Sequence, residues 1–172
     1  MERIKLDHPI PPTYDENSRV LILGSFPSAR SREMGYFYGH PQNRFWKVMA
    51  ALFEESVPLT VEERRSFLLR NHVAAWDVIA SCSIEGSSDS SIKDVAANDL
   101  RPVLQGSQIT RIFVNGKTAE RLYRKYTEPV LTESGYPEPL AHAVCLPSTS
   151  PANAAWTLEK LIDAWQVVRS EL

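Results

Sequence analysis

Residues 19–28 read Arg-Val-Leu-Ile-Leu-Gly-Ser-Phe-Pro-Ser. Four consecutive aliphatic residues leave no polar face, so the run suits a strand covered on both sides, as in a parallel sheet. Gly24 closes the run, and a small, nearly uncharged loop, Gly24–Ser28, follows it. In sheets of this kind ligands collect beyond the carboxyl ends of the strands. The same ten residues therefore point to both a fold and a site.

Working outward, three more short runs join Arg19–Gly24: His72–Val78, Arg111–Asn115 and His142–Leu146. Helical patterns lie between them. Phe45, Val48, Met49, Leu52 and Phe53 share one helical face. Thr60 and Glu63 have capping-box spacing before a second helix. Leu122, Tyr123 and Tyr126 follow Lys117 on a third. Leu158, Leu161, Ile162, Trp165 and Val168 stripe the last, with Ser150 the expected N-cap and Pro151 its first residue. Alternating strands and helices predict an α/β fold, a three-layer α/β/α sandwich around a four-stranded parallel sheet, in one domain spanning residues 1–172. The strand-end loops to read are Gly24–Ser28, Asp77 to Ser91, Asn115–Lys117 and Pro147–Asn153.

The bulk composition, 43% hydrophobic and 23% charged, is that of an ordinary globular protein. No apolar run approaches the roughly 20 residues that cross a bilayer, and residues 1–12 have no apolar secretory core. No membrane association is expected, and the cytoplasm is the expected compartment. Cys82 and Cys145 are read as free thiols, and no Cys/His spacing predicts a metal. The net charge of −2 gives no general attraction to nucleic acid, so a nucleic-acid face must be a local patch.

Several chemistries fail on their residues. Asn115–Ala119 contains Gly-Lys-Thr, but Ile112 and Phe113 stand where a phosphate-binding loop needs glycine. That turn could still hold one phosphate on its amides. No Gly-x-Ser-x-Gly elbow occurs. Asp77 and Asp89 are the only acids in the strand-end loops that could pair, and both also suit turns. Among the histidines, only His40 lies in a loop dense with polar groups.

That loop, Gly35 to Val48, combines Tyr36, Phe37 and Tyr38 with His40, Gln42 and Asn43. Aromatic faces beside carboxamides suit a flat, hydrogen-bonding ring, such as a nucleobase turned out of a helix. Gly39–Val48 resembles the Gly/Ala-His-Pro-x-Asn-Arg-Phe-Trp-Lys segment of the mismatch-specific uracil-DNA glycosylases. Gly24–Ser28 falls where that superfamily has Gly-x-Asn-Pro-Gly, and Pro147–Asn153 where it has its second motif, an Asn/His-Pro-Ser loop. The order and spacing agree along most of the chain.

Phe26 departs from the pattern, occupying the place of the water-positioning asparagine. The three motifs together resemble the hypoxanthine-DNA glycosylase branch instead. The resemblance implies excision of hypoxanthine from DNA containing deaminated bases, without metal or cofactor, by a monomer, with Asn43 the catalytic amide. It implies that Tyr38 stacks on the flipped base, that backbone groups of Ser25 and Phe26 read its edge, and that His40 and Gln42 order the loop or contact the base. Ser28, Lys117, Ser148, Thr149, Ser150 and Asn153 are the expected DNA-binding residues. Arg30, Arg32, Arg44 and Lys47, with Lys117, Arg121, Arg124 and Lys125, either form the local positive patch or simply solvate helix faces. No lysine in the motifs is placed to attack the sugar, Lys47 (one helical turn beyond Asn43) excepted, so a monofunctional enzyme is expected. The alternatives are a uracil or xanthine glycosylase of the same fold and a non-catalytic DNA- or base-binding module.

Overall fold

In a computed structural model describing residues 2–85 and 91–172, the aliphatic runs form the predicted parallel sheet. The strands are β1 (Ile4–Asp7), β2 (Val20–Gly24), β3 (Val73–Asp77), β4 (Ile79–Ile84), β5 (Lys93–Ala97), β6 (Arg111–Asn115) and β7 (Val144–Leu146). The helices are α1 (Ala29–Met34), α2 (Phe45–Phe53), α3 (Val61–Arg70), α4 (Arg101–Gln105), α5 (Lys117–Leu122), α6 (Glu128–Glu133), α7 (Glu138–Ala141) and α8 (Leu158–Ser170). The parallel sheet runs β3-β2-β6-β7. Its register sets Val20 against Val73 and Arg111, and brings Gly24 beside Asp77 and Asn115 beside Leu146.

The two-residue period of a strand divides the core between two faces. Val20 and Ile22 pack with Phe45, Met49, Phe67 and Trp165 of α2, α3 and α8. Leu21 and Leu23 pack with Leu104, Ala119, Leu131 and Leu140 of α4, α5, α6 and α7. Each buried side chain of that size is worth about 1.5–3 kcal/mol. The expected α/β/α layering follows. The capping box also forms: Thr60 Oγ1 accepts from the Glu63 N–H at 3.1 Å, and Glu63 Oε2 accepts from the N–H groups of Leu59 and Thr60.

The structure departs from the sequence reading in four places. His72 and His142 lie outside the strands: His72 takes a left-handed φ of 63°, and His142 caps the end of α7. A second sheet, antiparallel and ordered β1-β4-β5, occupies part of the span read as a loop after Asp77. Only Val78 separates β3 from β4, and the small polar residues Ser81 and Ser83 hide β4's apolar positions. The third predicted helix continues from α5 through a wide π turn, Tyr123–Thr127, into α6, where Pro129 has no N–H for the Lys125 carbonyl. Finally, α8 is capped by Thr157 rather than Ser150, so Pro151 lies in the turns before it. Asp89 lies outside the described residues.

Candidate active site

The carboxyl ends of β2, β3 and β6 and the loop after β7 surround one cleft of about 520 Å³. Ser25, Phe26 and Ser28 line it from the first loop, Tyr38, His40 and Asn43 from the segment before α2, and Ser148, Thr149 and Ser150 from the last. Nine of the twelve residues named from the sequence thus converge. Gln42, Lys117 and Asn153 do not line the cleft.

Asn43 is held by its carbonyl oxygen. Oδ1 accepts the Phe45 N–H at 2.9 Å and the Thr149 hydroxyl at 2.8 Å. The Thr149 hydroxyl accepts in turn from Asn115 Nδ2 at 3.0 Å, while the Thr149 N–H donates to Asn115 Oδ1 at 3.1 Å. A backbone N–H can only donate, so the orientation of the Asn43 amide is fixed. Both acceptor positions of Oδ1 are taken, and Nδ2 has no partner among the described residues. Toward the cleft the Asn43 amide is therefore a donor. Thr149 is 0% exposed, so it positions Asn43 and does not touch a phosphate.

Other side chains named for DNA contact are also engaged. Ser28 caps α1, its Oγ accepting from the Ser31 N–H at 3.2 Å and donating to Ser31 Oγ at 3.1 Å. Asn153 Nδ2 donates to the Ser148 carbonyl at 3.0 Å and shapes the last loop from behind. Ser148 and Ser150 accept from the N–H groups of Ser150 and Ala152, at 3.1 and 3.2 Å, through hydroxyls that can still donate. Arg44 is no free cation: its guanidinium donates to the carbonyls of Ser150, Asn153 and Trp156. Of the remaining basic residues only Arg32 lines the cleft, donating to the Pro27 carbonyl at 2.7 Å with its guanidinium 5.6 Å from the Phe26 ring centroid.

The aromatic loop divides its residues between core and cleft. Tyr36 is buried and its hydroxyl pairs with Thr13 at 2.8 Å. Tyr38 takes a left-handed φ of 52° and stacks one ring face on Phe45, with centroids 4.0 Å apart. Among the described residues its buried hydroxyl meets no partner in full hydrogen-bond geometry, and burial, then the charge of Asp77, push its pKa up against a smaller lowering by a weaker contact with the Asn115 side chain. His40 lines the cleft and orders its loop, Nδ1 accepting from the Gln42 N–H at 3.1 Å. The Ser25 carbonyl accepts from Ile79 N–H at 3.1 Å, so among the described residues the N–H groups of Ser25 and Phe26 and the Phe26 carbonyl are the backbone groups of this turn left for a ligand.

A pair the sequence did not reveal lies beneath. Asp77, 4% exposed, ends β3 in the cleft, and its Oδ2 lies 2.7 Å from His8 Nε2. Antiparallel pairing of β1 with β4, which sets Asp7 against Ser81, carries His8 there. Gly24 permits the approach, since a Cβ at that position would lie 2.4 Å from Asp77 Oδ1. Asn115 was likewise overlooked as a site residue, although its place at a strand end was a usable signal.

The sequence profile of the Uracil DNA glycosylase superfamily matches residues 11–169. This chain belongs to the uracil DNA glycosylase superfamily. A protein named Hypoxanthine DNA glycosylase from Methanosarcina acetivorans is 33% identical over 160 residues, covering 92% of this chain and 94% of the relative. One of the same name from Methanosarcina barkeri is 34% identical over 133 residues, covering 73% and 78%. A solution NMR structure of a Methanosarcina acetivorans protein assigned to the uracil DNA glycosylases superposes with a TM-score of 0.77 at 31% identity, covering 96% of this chain and 97% of that one.

Within this superfamily member, Phe26 forms an apolar wall of the cleft, its ring set edge-on to His8 with centroids 5.8 Å apart. A phenyl ring offers no hydrogen bond to water. Among the described residues no helix is long and apolar enough to cross a membrane.

Proposed function

We propose that this superfamily member is a monofunctional DNA glycosylase that removes hypoxanthine from deoxyinosine in DNA, working as a single-domain monomer in the cytoplasm. The observation that carries the reading is the Asn43 amide, clamped through Oδ1 with Nδ2 left for a ligand. Breaking the N-glycosidic bond leaves an oxocarbenium-like sugar and an anionic base. A donor fixed before the reaction stabilises that anion without reorganising. Asn43 Nδ2 donates to the departing base, and the ring face of Tyr38 not covered by Phe45 stacks against it. Ser148 and Ser150 hydroxyls meet the DNA backbone, with Lys117 farther along it. Neither Lys47 nor Lys117 lines the cleft, which fits hydrolysis rather than an imine intermediate. Two relatives sharing about a third of the sequence carry the name Hypoxanthine DNA glycosylase.

The test is single-turnover release from duplexes carrying one hypoxanthine, uracil or xanthine, for wild type and Asn43→Ala. Hypoxanthine is expected to leave fastest, and the variant to lose about 100- to 1,000-fold, the cost of one preorganised donor. Release of none of the three bases by wild type, with DNA still bound, would leave a binding module.

A further inference from the structure

Buried carboxylates are normally satisfied by a cation or by several donors. Among the described residues Asp77 has neither. Its one side-chain partner there is His8, and the Ile10 N–H donates to His8 Nδ1 at 3.2 Å. Because that N–H can only donate, His8 Nδ1 accepts and the ring proton sits on Nε2, facing Asp77 Oδ2. The imidazole is then a neutral donor that fills one oxygen. Asp77 Oδ1 has no hydrogen-bond partner among the described residues and lies against Gly24 at the cleft. His8 itself is locked: its side chain is 3% exposed, and Phe26 and Trp76 stand edge-on to it.

We infer that Asp77 is the residue that distinguishes hypoxanthine from the normal purines, with His8 as its positioning residue; this rests on the excision reading above. A carboxylate oxygen with an open lone pair wants an N–H. Hypoxanthine presents N1–H on its pairing edge, whereas adenine presents a bare N1 lone pair that a carboxylate repels. Guanine also carries N1–H, but adds a 2-amino group that wants a second acceptor. His8 has already taken that second acceptor, so guanine's extra donor is left unpaired. One open oxygen matches a base with one donor there.

The amide variant makes the inference sharp. In Asp77→Asn the His8 Nε2–H holds the amide oxygen, which turns the new NH2 group into the cleft. A donor then faces N1, suiting adenine and opposing hypoxanthine. Duplexes carrying 2′-fluoro-deoxyinosine, 2′-fluoro-deoxyadenosine or 2′-fluoro-deoxyguanosine, whose glycosidic bonds resist cleavage, are titrated against wild type and variants. Release from ordinary deoxyinosine is measured beside them. Wild type is expected to prefer deoxyinosine, and Asp77→Asn to lose that preference over deoxyadenosine by about 10- to 100-fold, the worth of one charge-assisted hydrogen bond. His8→Gln, which keeps an N–H near the Nε2 position, is expected to retain the preference. His8→Leu, which frees Oδ2, is expected to admit deoxyguanosine.

An unchanged ratio in an Asp77→Asn protein that melts like wild type overturns the inference and leaves excision standing. So does a wild type that releases hypoxanthine yet binds the three duplexes equally. A wild type that neither releases hypoxanthine nor prefers deoxyinosine removes both. Should Asp77→Asn melt early, the Gln and Leu variants at His8 decide, and equal selectivity in the two overturns the positioning role.

Discussion

Asn43→Asp changes one atom type and asks which half of the amide matters. A carboxylate still accepts from Phe45 N–H and the Thr149 hydroxyl, so the fold is expected to melt within a few degrees of wild type. It cannot donate, so hypoxanthine release should fall about 100-fold or more. Thr149→Val tests the clamp from behind. It strips Asn115 Nδ2 and Asn43 Oδ1 of a shared partner whose own position is wholly buried, and should cost about 1–3 kcal/mol in denaturant unfolding. Release should slow as well, and Thr149→Ser should restore both. Asn43 was legible because it sits inside a contiguous motif. His8 was not, since its partner Asp77 is 69 positions away and nothing beside it in sequence announces a site.

At the level of elements, one guanidinium explains why the start of α8 was misread. Ser150-Pro151 is a good helix opening on paper. Arg44 takes the carbonyls of Ser150, Asn153 and Trp156, which a helix starting there would need for its own N–H groups. The chain turns instead until Thr157 caps α8, accepting from the Lys160 N–H at 3.2 Å. A flexible ammonium cannot span three carbonyls as a planar fork does. Arg44→Lys should therefore cost about 1–3 kcal/mol and speed amide hydrogen exchange across residues 148–157, while leaving β2 and β6 protected. The parallel strands and the apolar stripe of α2 were readable from periodicity alone. The antiparallel sheet was not, because Ser81 and Ser83 break the apolar pattern of β4 and every residue of β5 is exposed or half-buried.

For the whole molecule, the packing against both faces of the parallel sheet leaves a titration signature. Burial pushes the phenols of Tyr36, Tyr38 and Tyr123 upward, with Asp77 adding to Tyr38 and Glu128 to Tyr123. A raised phenol stabilises the fold in full below the unfolded value of about 10, and that contribution declines as pH rises toward the folded value. Absorbance of phenolate in the folded protein should therefore omit these three until the chain unfolds, and chemical stability should fall steadily above pH about 10. Appearance of all six tyrosines before the loss of helical signal would contradict that burial.

The first strand deserves its own consequence. β1 is a four-residue edge strand, mostly exposed, whose one sheet neighbour among the described residues is β4, yet it leads directly into the imidazole that fixes Asp77. The Asn43 clamp draws nothing from it. Edges of this kind open at lower free energy than central strands. On warming, or under mild denaturant, the protein should become careless before it becomes slow: errors in the choice of base would rise while the cutting itself was still intact.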